Sequence, residues 1–202
     1  MAEDHDSLNV TRRTIIASAA FVPLAALTAA AQKPATALSP SELKTLEAFM
    51  DRIVPKDELG PGAVECGAAN YVNRQLADAL SAEKASFVEG LASVDTLAHS
   101  THNAAFADLS PEARDELLTA MDGGTAAGFP GARQFFARVR RLTLEGMFSD
   151  PYYGGNTNFA GWDLIRYPGP RLATTVADQS MKTPPAPYHK SAYGPGEKPS
   201  AV

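Results

Sequence analysis

Two serine–proline pairs set the grain of this chain. Ser39-Pro40 and Ser110-Pro111 each stand just ahead of apolar residues spaced three and four apart. A serine side chain accepts a hydrogen bond from the unpaired amides at a helix start. Proline suits the first helical position because its missing N–H has no partner there. Behind the first pair, Glu42 completes a capping box. Leu43, Leu46, Phe49, Met50, Ile53 and Val54 then share one apolar face, which Pro55 ends. The same spacing predicts a helix over Ala63–Ala79, with Val64, Ala68, Tyr71, Val72 and Leu76 inward and Gly67 permitting close helix contact. A third helix runs from Ser81 to about His99 on Phe87, Leu91, Val94 and Leu97. A fourth runs from Pro111 to Met121 and stops at Gly123-Gly124. The last runs from Pro130 to Phe148, with Phe135, Phe136, Val139, Leu142, Leu144 and Met147 in the core and Arg133, Arg138, Arg140 and Arg141 outside. No alternating strand pattern of useful length interrupts the series. The predicted fold class is all-α: a small domain of about five helices, an irregular Gly/Pro-rich C-terminal segment and an extended tail.

The N-terminal stretch reads differently. Thr11-Arg12-Arg13-Thr14-Ile15-Ile16 precedes a mildly apolar run to Leu27, then Ala29-Ala30-Ala31 before Gln32. Arginine pair, weak apolar region and small-residue cleavage pattern come in the order of a twin-arginine export signal, with Arg12 and Arg13 as its mark. The apolar run is short of the about 20 strongly apolar residues of a membrane span. Residues 1–32 are therefore assigned to the signal, 33–170 to the helical domain and 171–202 to the tail. Folded export suits proteins that take up a cofactor first, yet no cofactor motif follows. The expected cargo is thus a partner, and the expected location is the periplasm.

Charge and cysteine usage exclude several classes. The net charge of −5 and the lack of a basic patch argue against nucleic acid, and no polybasic stretch suits an anionic membrane. Cys66 is the only cysteine, so neither an internal disulfide nor a four-cysteine metal site can form. In an oxidising compartment a single cysteine is buried or paired with another chain.

Asp51, Asp57 and Glu58 crowd a helix end and its loop, with Arg52 beside them. They suit helix-end solvation with a local salt network, a partner contact or a metal, though no calcium-loop spacing is present. Gly60-Pro61-Gly62 follows a helix rather than a strand, and its proline lacks an amide, so it does not fit a phosphate loop. His99 and His102 share a helical face without a third ligand. Tyr152, Tyr153, Phe159, Trp162 and Tyr167 cluster on a Gly-rich segment, where they either roof the core or anchor an interface. The tail, with Pro184, Pro185, Pro187, Pro195 and Pro199, suits an extended arm on another protein. A self-contained metal-dependent periplasmic enzyme and a free-standing helical binding protein are the alternatives.

Three stretches together resemble a known family. They are Phe49 through Ala63 (FMDRIVPKDELGPGA), Ala69 through Leu76 (ANYVNRQL), and Asp150-Pro151-Tyr152-Tyr153-Gly154-Gly155-Asn156 onward through Gly161-Trp162 to Arg166-Tyr167-Pro168-Gly169-Pro170. The chain is similar to the small (gamma, or subunit 3) chain of gluconate 2-dehydrogenase and related membrane-bound sugar-acid dehydrogenases. The resemblance implies a non-catalytic subunit with no cofactor of its own. It implies two partners: a large subunit that holds FAD and oxidises the sugar acid, and a multihaem cytochrome c subunit. It also implies that the small chain carries the export signal for the large one and meets the membrane only through the complex. Asp51, Arg52, Asp57, Pro61, Gly62, Cys66, Tyr152, Tyr153, Trp162, Tyr167 and Pro168 are the residues expected at the partner interface.

Overall fold

The structure is a computed structural model, and it describes residues 36–171, 173–176, 178–179 and 185–193. The twin-arginine segment, Arg12 and Arg13 included, and residues 194–202 lie outside the described residues.

Six α-helices and several single 3-10 turns make up the described fold: α1 (Pro40–Ile53), α2 (Ala68–Ala77), α3 (Lys84–His102), α4 (Pro111–Gly123), α5 (Ala132–Phe148) and α6 (Ala160–Leu164). No strand occurs among the described residues, so the domain is all-α. The serine–proline starts hold in atomic detail. Ser39 Oγ accepts from Glu42 N while Ser39 N donates to Glu42 Oε2 at 2.7 Å. Ser110 Oγ accepts from Ala113 N. At the other end of α4, Gly124 takes a left-handed conformation and its N–H closes the last turn.

The core is one cluster to which every long helix contributes. Phe49 of α1 sits at its centre, fully buried, with ring centroids 5.9–6.4 Å from Phe106, Phe135 and Phe136. Around it pack Leu46 and Met50, Val72 and Leu76, Phe87, Leu91 and Val94, Met121, and Val139, Leu142 and Met147. Helix α5 crosses α2 where Gly146 meets Ala68.

Buried polar groups then fix the helices relative to one another. Asp95 of α3 accepts from Thr45 Oγ1 of α1 at 3.0 Å and from Phe106 N at 3.0 Å. Asn73 Oδ1 of α2 accepts from Ala37 N and Leu38 N, which pins the entry of the domain. Neither link has a sequence signature, because each joins residues far apart in the chain.

Several expectations shift. The second helix begins at Ala68, not Ala63, because Gly67 adopts φ +70 and breaks the helical path before it. Val64 consequently leaves the inward stripe and is exposed. Leu144 falls on the outer face of α5 and is exposed as well. Arg138 is not simply a surface charge: it lies 5.2 Å over the Phe87 ring and pairs with Glu83.

Candidate partner-docking face

The C-terminal segment is built on the last turn of α5. Asn156 is fully buried and joins the two. Its N–H donates to Gly146 O at 2.8 Å, its Nδ2 to Ser149 O at 3.0 Å, and its Oδ1 accepts from Gly161 N at 2.9 Å. The first and last of these hold α6 against α5. The contact is so close that a Cβ on Gly161 would lie 1.9 Å from Met147 O, so only glycine fits. Asn158 and Phe159 both have positive φ, an uncommon conformation for a bulky residue. That geometry turns the Phe159 ring onto Trp162, 5.3 Å away.

Trp162 is the seam of this region. It is 4% exposed, and its Nε1 donates to Phe148 O at 2.9 Å. Tyr167 meets it edge-on at 5.0 Å. Outward from this seam the aromatics are open: Tyr152, Tyr167 and Tyr193 are all exposed, as is Ile165. A cleft of about 430 Å³ runs among Phe148, Asp150, Tyr153, Trp162, Ile165, Tyr167, Pro170, Ala192 and Tyr193. Trp162 is therefore buried, while its neighbours Tyr152, Tyr167 and Tyr193 are exposed.

The loop after α1 joins the same face. Asp57 Oδ1 accepts from Leu59 N and Gly60 N, and the Asp57 and Gly60 backbones pair. Gly62 N donates to Glu65 Oε2 at 3.0 Å. The loop amides are thus committed to the chain's own carboxylates, an arrangement unsuited to a phosphate. Gly60 rests against Leu164 of α6; their chain neighbours Leu59 and Ile165 are exposed, 81% and 53%. Asp57, Pro61 and Gly62 flank Gly60 in this loop, and Gly62 packs back on the Val54–Lys56 backbone. Sequence reasoning missed Leu59 and Ile165. The available signal was a lone leucine amid the polar and glycine residues of a short loop.

Other expected interface residues go elsewhere. Arg52 makes a two-pronged pair with Asp115 of α4, at 2.8 and 2.9 Å, and lies 3.7 Å from Asp51. That pair stabilises the guanidinium charge and holds the Asp115 carboxyl below its ordinary range. Asp51 and Arg52 thus serve a helix-to-helix tie rather than the aromatic face. Cys66 is a correction: it is fully buried, and burial pushes its thiol up to about 11. A side chain that no solvent reaches, with its thiolate suppressed, sits in the core rather than at an interface. His99 and His102 lie in the last turn of α3, and His102 Nε2 is 3.8 Å from Glu116 Oε2. Among the described residues, no group of three or more His, Cys, Asp or Glu side chains is placed to hold a metal ion.

The tail also departs from expectation. Residues 185–193 lie on the chain's own C-terminal segment. Tyr188 N donates to Pro168 O at 2.8 Å, Arg171 Nη2 to Ala186 O at 2.7 Å, and Ala192 N to Asp150 Oδ2 at 2.8 Å. His189 stacks flat on Phe159 and meets Asp163 Oδ1 at 2.7 Å. Tyr193 closes a three-ring cluster with Tyr152 and Tyr153, 5.1 and 5.5 Å away, and raises the Tyr153 phenol by hydrogen bonding. Aromatic stacking and backbone donors supply on the chain itself the partners that an extended arm was expected to seek on another protein.

Among the described residues, no helix is long and apolar enough to cross a membrane. The family model described as gluconate 2-dehydrogenase subunit 3 matches residues 40–169, and the chain belongs to that family. The match spans both the loop at Leu59 and the aromatic segment through Pro168. No curated protein and no solved structure matches the chain.

Proposed function

We propose that this subunit is the non-catalytic small chain of a periplasmic, membrane-associated, FAD-dependent sugar-acid dehydrogenase. In this reading it carries the twin-arginine signal of Arg12 and Arg13 for a folded large flavoprotein subunit, and it stabilises that subunit. FAD belongs to the large subunit and haem c to a cytochrome subunit. Membership of a family named for a subunit supports a role within a complex.

The observation that carries the reading is the group of exposed side chains Ile165, Tyr167 and Tyr193 around the cleft, with Tyr152 packed on Tyr193 and Leu59 exposed in the loop after α1. Exposed apolar patches mark interaction sites in soluble proteins. Tyrosine is enriched at the centres of such interfaces.

Co-expression tests the proposal. The large flavoprotein subunit should reach the periplasm and be active only when this chain accompanies it, and replacing Arg12 and Arg13 by lysine should strand both inside. Export of an active large subunit on its own would defeat the proposal.

A further inference from the structure

The cleft beside Trp162 has a character that apolar docking alone does not explain. Five aromatic residues line it, Phe148, Tyr153, Trp162, Tyr167 and Tyr193, together with Asp150. No lysine or arginine is among its lining residues. Aromatic faces carry the negative end of the ring quadrupole and attract cations that lie over them. Asp150 is held in place by accepting from Tyr152 N through Oδ1 and from Ala192 N through Oδ2. A carboxylate has about four lone-pair positions, so roughly half remain for a further donor. The tail completes the enclosure, because Tyr193 is fixed there by its contacts with Tyr152 and Tyr153.

We infer that this cleft is a cage for an arginine side chain of the partner protein. The inference rests on the reading of the chain as a docking subunit and names what the docking face recognises. Charge complementarity carries it: a carboxylate and five aromatic residues line one opening, in a chain of net charge −5. Arginine fits better than lysine for two reasons. Its planar guanidinium stacks on aromatic rings, and its weaker hydration lowers the cost of entering a half-enclosed site. Its fork of donors also matches the lone pairs that Asp150 leaves open.

Trp162 is the only tryptophan, so the emission of the full chain reports from the cleft wall. Titration with Nα-acetylarginine amide should give a saturable change in that emission. The neutral isostere Nα-acetylcitrulline amide should bind about fivefold more weakly or worse, and the lysine analogue about threefold more weakly. Tyr193→Leu removes one exposed ring, and Asp150→Asn removes the charge. Each should weaken arginine binding about three- to tenfold. Tyr193 is 61% exposed, so that variant keeps the fold even where Asp150→Asn disturbs the turn. No saturable change, or equal binding of citrulline, would overturn the cage. So would an unaltered affinity in Tyr193→Leu. Tighter binding of the lysine analogue would overturn the assignment to arginine. The titration contains no partner, so its failure is separate from a failure of co-expression.

Discussion

The helical body and the C-terminal segment are held together by different means. In the body, α1 to α5 bury periodic apolar side chains around Phe49, and few backbone groups look outside their own helices. Among the described residues from Asp150 to Tyr193, turns with positive φ, a buried asparagine and close backbone approaches set the shape, while Tyr152, Ile165, Tyr167 and Tyr193 are left exposed. A body so built is indifferent to what lies on its surface. A segment so built displays aromatic groups in fixed positions, which is what recognition needs.

The largest expected effect lies in the body. Phe49→Ala should cost about 3–5 kcal/mol, since the ring is fully buried among three other aromatics. Urea unfolding followed by far-UV circular dichroism should show the whole transition moving to lower denaturant. A shift below about 1 kcal/mol would mean that the body does not rest on this cluster.

Asn156→Ala should cost less, about 1–3 kcal/mol, and should act locally. It strands Gly161 N and Ser149 O, and the joint between α5 and α6 opens. Trp162 emission should then change at urea concentrations where the helical signal is still intact. Superimposable curves from the two probes would erase the distinction between the regions.

The Arg52–Asp115 tie sets a smaller, pH-dependent effect. Arg52→Ala should cost about 1 kcal/mol or less, because the pair is largely solvated. Asp115 has its pKa lowered by the guanidinium. The contribution is therefore complete above the ordinary aspartate value of 3.8 and is lost as pH falls through the lower folded value. Urea midpoints measured from about pH 6 to about pH 2 should converge for wild type and variant at the acid end. Parallel curves would show that the pair contributes nothing.

Much of the body was legible because its signals are local. Ser39, Pro40 and Glu42 sit within one turn, and the apolar spacing of α1 and α5 follows from helix geometry alone. What escaped depends on contacts across the chain. Asp95 looks like any surface aspartate until Thr45 and Phe106 are placed beside it. The start of α2 was misplaced because Val64 fits the helical spacing, whereas Gly67 takes a left-handed conformation that spacing does not reveal. The aromatic cluster of Tyr152, Trp162 and Tyr167 was readable from aromatic and turn density. The approach of the loop after α1 to α6 was not, since Gly60 meets Leu164 only in the folded chain. The tail was read as an arm for another protein because composition reports that it cannot fold alone. It cannot report that Phe159 and Asp163 offer His189 a place to rest.

The smallest effect on the isolated chain tests the central claim most directly. Leu59→Asp with Ile165→Asp should change stability by about 0.5 kcal/mol or less per site, because both side chains already face water. The measurement is co-purification of wild type and this double variant from the membrane fraction of cells that produce the chain, with an absorption spectrum of what accompanies each. Flavin and c-type haem bands are expected with the wild-type chain, and their loss with the folded double variant. Bands retained by the variant, or a wild-type chain that emerges alone and colourless, would contradict that claim.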